Sequence, residues 1–242
     1  MSSFTLIIPT YNEEQGIEKT LNILGNFFKC KSYDYEIIVV NDGSEDNTSA
    51  VIEDFKKEND INIELLEYCS NKGKGYAVLK GIHKAEKEII AFMDADLPFD
   101  LSLIESSIKL IQENKAEIVI GDRGDSKSSI EVAYSYSRRL SGKLFSILIN
   151  ILLFKGFNDT QCGYKAFKNK VAKDIFSKQT IPGFGFDVEI LFIAIKKKYE
   201  IKKIPVIFSH SRDSKIKLIR HSLEMFFDIF RIRSNNKKGI YD

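Results

Sequence analysis

Cysteine is scarce in this chain. The three present, Cys30, Cys69 and Cys162, are odd in number and widely spaced. That argues against a disulfide framework and against a zinc site, and it fits a reducing compartment. A charge excess is also missing: 36 Lys and Arg stand against 34 Asp and Glu, a net +2, so no global drive toward nucleic acid is expected. Long hydrophobic runs are missing too. No stretch approaches the roughly 18 unbroken apolar residues of a membrane span, and the longest candidate, Leu144 to Phe154, is interrupted by Ser146 and Asn150. Met1-Ser2-Ser3-Phe4 leads directly into a strand pattern, which predicts no signal peptide. There is no internal repeat, no low-complexity segment and no linker. What remains is 242 residues, 43% hydrophobic, enough for a sizeable core. The reading is one domain over residues 1–213 and a basic amphipathic C-terminal extension over residues 214–242.

The first half alternates strand and helix patterns. Apolar strands are expected at Phe4 to Ile8, ending at Pro9, then at Glu36 to Val40, Ile61 to Glu67, Ile89 to Met93 and Glu117 to Ile120. Helices are expected between them, at Glu14 to Phe28, Asn47 to Lys57, Gly75 to Lys87 and Leu101 to Glu113. In the first helix Ile17, Leu21, Leu24 and Phe28 recur at helical spacing. An Asn/Thr cap region opens the second. The alternation predicts an α/β fold, a mostly parallel central sheet flanked by helices. The second half is less regular. Gly124 to Ser129 reads as a loop, Tyr136 to Phe154 as a helix, and Lys203 to Ser209 as a strand.

Chemistry-bearing residues gather at the predicted strand ends. Asp94-Ala95-Asp96 closes the Ile89 to Met93 strand. Paired carboxylates at that edge of an α/β sheet can hold a divalent cation, which can hold a diphosphate; they are also ordinary turn chemistry. Pro9-Thr10-Tyr11-Asn12-Glu13-Glu14 follows the first strand. Tyr11 could stack on a base and Glu13 accept from one, or the segment is a capped helix start. Asn41-Asp42-Gly43-Ser44 follows the second; Asp42 could accept from a nucleobase or ribose, or sit in a plain turn. Asn71-Lys72-Gly73-Lys74-Gly75 precedes a helix. That suits phosphate contact, or a solvated loop, and the spacing is not that of a Walker A loop.

Taken together, in this order and at these intervals, the four segments resemble family-2 glycosyltransferases. The resemblance continues through Gly121-Asp122-Arg123, Asp159-Thr160-Gln161-Cys162-Gly163-Tyr164-Lys165, Phe186-Asp187-Val188-Glu189 and Arg212-Asp213-Ser214-Lys215. The later segments look like the dolichyl-phosphate glucosyltransferase and polyprenyl-phosphate mannosyltransferase branch, closer to the glucosyl members. The resemblance implies a GT-A nucleotide-diphospho-sugar transferase fold. It implies that Pro9, Tyr11, Glu13 and Asp42 hold the nucleoside and that Asp94 and Asp96 bind Mg²⁺ or Mn²⁺ at the diphosphate. Lys74, Arg123, Arg212 and Lys215 would contact or neighbour phosphates, with Asp159 and Gln161 facing sugar and acceptor. Two departures stand out: Pro98 occupies a position where some relatives carry a metal-ligating Gln, and Asp213 replaces the usual Gly before Ser-Lys. Asp187 and Glu189 read either as catalytic groups or as an acid pair at a helix start. Cys162 reads as a small buried residue, and His83, His210 and His221 have no ligand-like spacing.

The expected reaction is an inverting hexosyl transfer, best matched by glucose moving from UDP-glucose to a polyprenyl or dolichyl phosphate. Alternatives are GDP-mannose as donor, a cell-surface saccharide as acceptor, or a non-catalytic nucleotide-sugar-binding protein recruited to membranes. A phosphate acceptor needs no strong base, since its second pKa is about 6. A sugar hydroxyl needs one, with Asp159 or Asp187 as the candidate. Ile216, Ile219, Leu223, Phe226, Phe227 and Phe230 fall at helical spacing among Lys215, Lys217, Arg220, Arg231 and Arg233. Such a helix suits an anionic membrane surface or packs on the core. The expected partners are therefore a nucleotide sugar, a polyprenyl phosphate and a membrane surface, with no nucleic acid; an integral-membrane partner or a homodimer is compatible. The expected location is cytoplasmic, peripheral on the inner face of a membrane.

Overall fold

The computed structural model describes residues 3–31, 33–130, 136–208 and 218–242. The strands are β1 (Ser3–Thr10), β2 (Asp34–Asn41), β3 (Ile63–Glu67), β4 (Ile89–Phe92), β5 (Ile118–Asp122), β6 (Ser129–Ile130), β7 (Lys165–Lys168), β8 (Ile201–Pro205) and β9 (Ile207–Phe208). The helices are α1 (Ile17–Lys29), α2 (Thr48–Glu58), α3 (Lys74–Lys84), α4 (Ser102–Gln112), α5 (Tyr136–Leu152), α6 (Asn169–Phe176), α7 (Phe186–Lys196) and α8 (Leu218–Lys237). Seven strands form one sheet in the order β3-β2-β1-β4-β7-β5-β8. Only β7 runs against its neighbours, antiparallel to β4 and β5. β6 and β9 form a separate short parallel pair.

β1, β4 and β5 are buried on both faces, which is why they read as near-continuous apolar runs. Phe4, Leu6 and Ile8 of β1 pack with Ile17, Leu21, Leu24 and Phe28 of α1 and with Ile104 and Ile108 of α4. Ile7, between them in sequence, points to the opposite layer of α3, α6 and α7. Ile149 of α5 and Ile229 and Ile232 of α8 join that second layer. Each fully buried Leu, Ile or Phe contributes roughly 1.5–3 kcal/mol, so the inner faces of α5 and α8 are core.

The structure corrects several sequence expectations. Pro9 does not end its strand: β1 continues to Thr10, with Pro9 opposite Val40 of β2. The reason is geometric. The Ile7 carbonyl accepts from Met93, so Ile7 and Pro9 face the β4 side, where pairing stops at Phe92. The N–H that Pro9 lacks has no ladder partner there. Asn47 makes no side-chain cap to α2; the Asp46 carboxylate accepts from the Thr48 N–H instead, at 3.0 Å. α3 begins at Lys74 and stops at Lys84, three residues short of expectation. The strand expected from Lys203 is two strands, β8 and β9, divided at Val206, whose N–H donates to Ser128 Oγ at 3.0 Å. Its far end, Ser209, and the 213/214 boundary lie outside the described residues. Ser129, expected in a loop, starts β6. α6 was not anticipated.

Candidate active site

The loops after β1 and β2 are stitched to each other at the carboxyl edge of the sheet. Asn12 takes φ 55°. Its N–H donates to Ser44 Oγ at 2.9 Å, and its Oδ1 accepts from the Glu45 N–H at 2.8 Å. The Glu13 N–H donates to Thr48 Oγ1 at 2.8 Å. Tyr11 stands beside this seam, 40% exposed. Asp42 is buried, and its carboxylate accepts from Tyr68 Oη and the Lys72 N–H, both at 2.7 Å, and from the Gly73 N–H at 2.9 Å. Asp42 therefore shapes the lysine loop. Burial first, then the hydrogen bond to Asp42 and the Asp42 charge, push the Tyr68 phenol up, so it remains a donor.

That loop delivers Lys74. Gly73 sits at φ +102°, and a Cβ there would lie 2.5 Å from the Pro182 carbonyl oxygen; only glycine fits both demands. The Tyr76 N–H donates to Pro182 O at 3.0 Å, and Gln179 Nε2 donates to Gly75 O at 3.0 Å. Glu189, fully buried, fixes this supporting segment. Its carboxylate accepts from Thr180 Oγ1 at 2.6 Å, the Ile181 N–H at 2.8 Å and Tyr241 Oη at 2.6 Å. Glu189 thus acts in the scaffold, through residues sequence reasoning did not connect to it.

Lys74 Nζ lies 2.6 Å from Asp94 Oδ1. Burial would lower its pKa, but the charges of Asp94 and Asp187 outweigh that and raise it, so it stays an ammonium. Two residues on, Asp96 keeps solvent contact, yet partial desolvation and then the Asp94 charge raise its carboxyl to about 6. Leu97 follows at φ 45°. Asn12 and Leu97 are thus left-handed residues at two adjoining strand ends, a form of strain that clusters at functional sites.

The 159–165 segment leads into the antiparallel strand β7. The Gly163 backbone lies so close to Asp94 that a Cβ would stand 1.9 Å from Asp94 Oδ2. The 159–165 segment is thereby held against the carboxylate pair. Asp159 and Arg123 form a bidentate pair, Nε to Oδ2 at 2.7 Å and Nη2 to Oδ1 at 2.8 Å. The Arg123 and Gln161 N–H groups each add a bond at 3.1 Å. Burial would raise the Asp159 carboxyl, but the Arg123 bonds and charge outweigh it and hold it below the usual carboxylate value. Gln161 Nε2 is buried with no hydrogen-bond partner. Burial pushes the Cys162 thiol up to about 12, which makes it inert.

Asp187 does not reach this group as a free carboxylate. It is buried and ion-paired with Lys165, itself buried on β7, whose Nζ also donates to Cys162 O at 2.9 Å. Removing one partner of such a pair costs about 3–5 kcal/mol. Lys165 is the residue that sequence reasoning passed over; its signal was a lysine inside an apolar strand with an aspartate opening an apolar helix. Arg212 and Lys215 lie outside the described residues.

Asp94 and Asp96 offer two hard oxygen donors, the ligand type Mg²⁺ and Mn²⁺ take. The Lys74 ammonium already seated on Asp94 shows that the site accepts positive charge. Among the described residues no group of three or more His, Cys, Asp or Glu could hold a metal. The residues therefore fit a cation shared with a diphosphate and water, and Pro98 adds no ligand.

Comparison with known proteins follows the same lines. The model of "Glycosyl transferase family 2" matches residues 5–176. A dolichyl-phosphate beta-glucosyltransferase of Trichomonas vaginalis is 35% identical over 237 residues, covering 94% of this chain and 72% of that protein. One of Dictyostelium discoideum is 34% identical, covering 98% and 76%, and one of Homo sapiens is 31% identical, also covering 98% and 76%. Among solved structures, mannosyl-3-phosphoglycerate synthase from Rubrobacter xylanophilus superposes with a TM-score of 0.74 at 16% identity, over 99% of this chain and 76% of that one. Glucosyl-3-phosphoglycerate synthase from Mycobacterium tuberculosis, in complex with Mn²⁺, UDP and glucosyl-3-phosphoglycerate, gives 0.70 at 15%, over 96% and 80%. At such identities these two share the fold, which is GT-A.

Proposed function

Because the chain belongs to glycosyl transferase family 2, we propose that it transfers glucose from UDP-glucose to a polyprenyl or dolichyl phosphate, with inversion at the anomeric carbon. The observation that carries this reading is the contact of Gly163 with Asp94. It joins a carboxylate pair suited to a metal–diphosphate with the Asp159–Gln161 segment at one sheet edge.

A phosphate oxygen of the acceptor forms a bond to the anomeric carbon while that carbon's bond to the diphosphate oxygen breaks. UDP leaves with the bonding pair. A divalent cation held by Asp94 and Asp96, when bound, offsets charge on the diphosphate. Lys74 adds positive charge beside the same carboxylates. Tyr11 and Glu13 border the nucleoside, and Asp42 orders the loop that bears Lys74. Asp159 and Gln161 orient the sugar and acceptor.

The state of the two candidate bases supports a phosphate acceptor over a hydroxyl. Asp159 is tied up by Arg123 and held acidic; Asp187 is buried against Lys165. A phosphate that is largely dianionic near neutral pH, with a second pKa of about 6, needs neither. Gln161 Nε2, buried without a hydrogen-bond partner, is a spare donor in the same segment as Asp159. This reading makes the protein a peripheral enzyme on the cytoplasmic face of a membrane.

The donor is tested by incubating purified protein with Mn²⁺, a short polyprenyl phosphate and either UDP-glucose, UDP-galactose or GDP-mannose, measuring nucleoside diphosphate release. UDP release from UDP-glucose is expected. Release from GDP-mannose alone overturns the donor assignment. Metal-dependent nucleotide binding with no release from any donor overturns catalysis.

A further inference from the structure

The apolar surface this function leaves unexplained lies on α5 and α8. Leu144, Ile147 and Ile151 form one stripe along α5, 54%, 53% and 73% exposed. Leu223, Phe227 and Phe230 form another along α8, 56%, 66% and 47% exposed. The spacings, three and four residues along α5 and four and three along α8, put each set on a single helix face. The two helices pack against each other. Their opposite faces are core, through Ile149, Ile229 and Ile232. Scattered exposed apolar residues are ordinary, but six large ones on two adjoining helices mark an interaction surface.

Charge selects the partner. α5 and α8 together hold seven Lys and Arg against two Asp and Glu, a net +5. The whole chain is only +2, so everything else sums to −3. No acidic residue occurs between Glu131 and Asp159. Of the two acids on α8, Asp228 turns inward, its carboxylate against the Gly185 backbone. Exposed Lys155, Arg231 and Arg233 border the stripes. An apolar strip with a cationic border fits the interface of an anionic bilayer, where apolar side chains enter the acyl boundary and basic ones meet headgroups. No helix among the described residues is long and apolar enough to cross a membrane, so contact along the surface is the mode these helices offer.

We infer that the outer faces of α5 and α8 form one membrane-docking surface that lies on an anionic bilayer. This deepens the lipid-acceptor reading and draws its purpose from it. The Asn150 side chain of α5 binds the backbone at Phe157 O, 2.8 Å, and the Gly156 N–H, 2.9 Å. Those residues run directly into Asp159, so a docked α5 holds the acceptor-side loop at the lipid surface.

The test is flotation with vesicles of phosphatidylcholine, alone or mixed with phosphatidylserine, containing neither nucleotide sugar nor polyprenyl phosphate. The wild type is compared with Phe227→Ser and with Ile151→Ser/Phe227→Ser. These side chains are exposed, so folding is retained and is checked by circular dichroism. The proposal expects binding to the anionic vesicles that weakens with salt, falls at least about tenfold in Phe227→Ser and falls further in the double variant. No vesicle binding by the wild type overturns it, as does binding that the variants leave unchanged. A concentration-dependent dimer abolished by Phe227→Ser, without vesicle binding, overturns it in favour of a second copy. Turnover on a short, water-dispersed polyprenyl phosphate is measured alongside and is expected to survive both variants. Its loss in the wild type contradicts the enzymatic reading alone.

Discussion

The site holds two carboxylate–cation pairs, and they are built differently. On the side of β1, β2 and β4, Lys74 meets Asp94 through a single contact of 2.6 Å, and the Asp94 side chain is 36% exposed. On the side of β5 and β7, Arg123 grips Asp159 with two parallel bonds, and the Asp159 side chain is 10% exposed. The Lys74 side chain is 16% exposed and that of Arg123 26%, so the contrast lies in the carboxylates and the bond geometry. At a single-point contact, water or a metal ion can replace the ammonium at Asp94, and a diphosphate can replace Asp94 at the ammonium. A bidentate guanidinium pair, reinforced by two backbone N–H groups, is fixed. The first pair is suited to bind and release a charged donor. The second is suited to hold a loop in one position.

That contrast can be broken by substitution. The largest effect is expected at the open pair. Asp96→Asn should reduce metal-dependent glucose transfer by about a thousandfold or more, equivalent to about 4 kcal/mol of transition-state stabilisation, with melting temperature little changed. Steady-state rates across a Mn²⁺ titration check this, and undiminished turnover would remove Asp96 from the site. Arg123→Ala should instead cost stability, about 3 kcal/mol, by leaving Asp159 charged and unpaired. Lys74→Met should cost less stability than Arg123→Ala, because the Asp94 side chain is 36% exposed and can be hydrated, while weakening UDP binding. Urea denaturation of both variants, paired with UDP titration, separates the two; equal destabilisation would erase the distinction.

Gly163→Ala tests whether the pairs form one site. The new Cβ has no room beside Asp94 Oδ2, so the carboxylate must shift. A loss of about a hundredfold in kcat is expected from displacement on the order of 1 Å, together with weaker Mn²⁺-dependent UDP binding, because the shifted carboxylate belongs to the proposed metal–diphosphate site. Unchanged kcat and unchanged UDP binding would mean that the Gly163 contact does not join the two pairs.

The smallest effect concerns pH. Asp159 is held below its ordinary value because the Arg123 interactions outweigh burial. A carboxyl with a lowered folded-state pKa stabilises fully above its unfolded value of about 3.9 and loses that contribution as pH falls through the folded value. Melting temperature of the wild type should therefore fall below about pH 4 more steeply than that of Asp159→Asn. Parallel curves would mean that the pair carries no linkage.

The open side was far more legible in the sequence than the fixed side. Its strands are buried on both faces and announce themselves as apolar runs, so Asp42 and Asp94 could be set at strand ends before any coordinates. Pro9 misled because a proline can lie inside a strand where the neighbouring strand has already ended. On the other side the organising strand β7 is four residues long and begins and ends with lysine, which hides it from any apolar pattern. The partners that decide roles there are remote in sequence: Arg123 with Asp159, Lys165 with Asp187, Glu189 with Tyr241. Spacing alone could not reveal that Asp159 and Asp187 are spoken for, and only the resemblance to family-2 glycosyltransferases drew attention to them.

The claim that a fixed Asp159 positions the acceptor, and that no carboxylate of the pair draws a proton from it, is tested most directly by acceptor chemistry. Glucose transfer from UDP-glucose in Mn²⁺ is measured with a short polyprenyl phosphate and with the polyprenol of the same length. A glucosyl phosphate lipid is expected from the first and no product from the second. Transfer to the alcohol at a comparable rate would contradict it, because that reaction requires a base that neither Asp159 nor Asp187 is placed to supply.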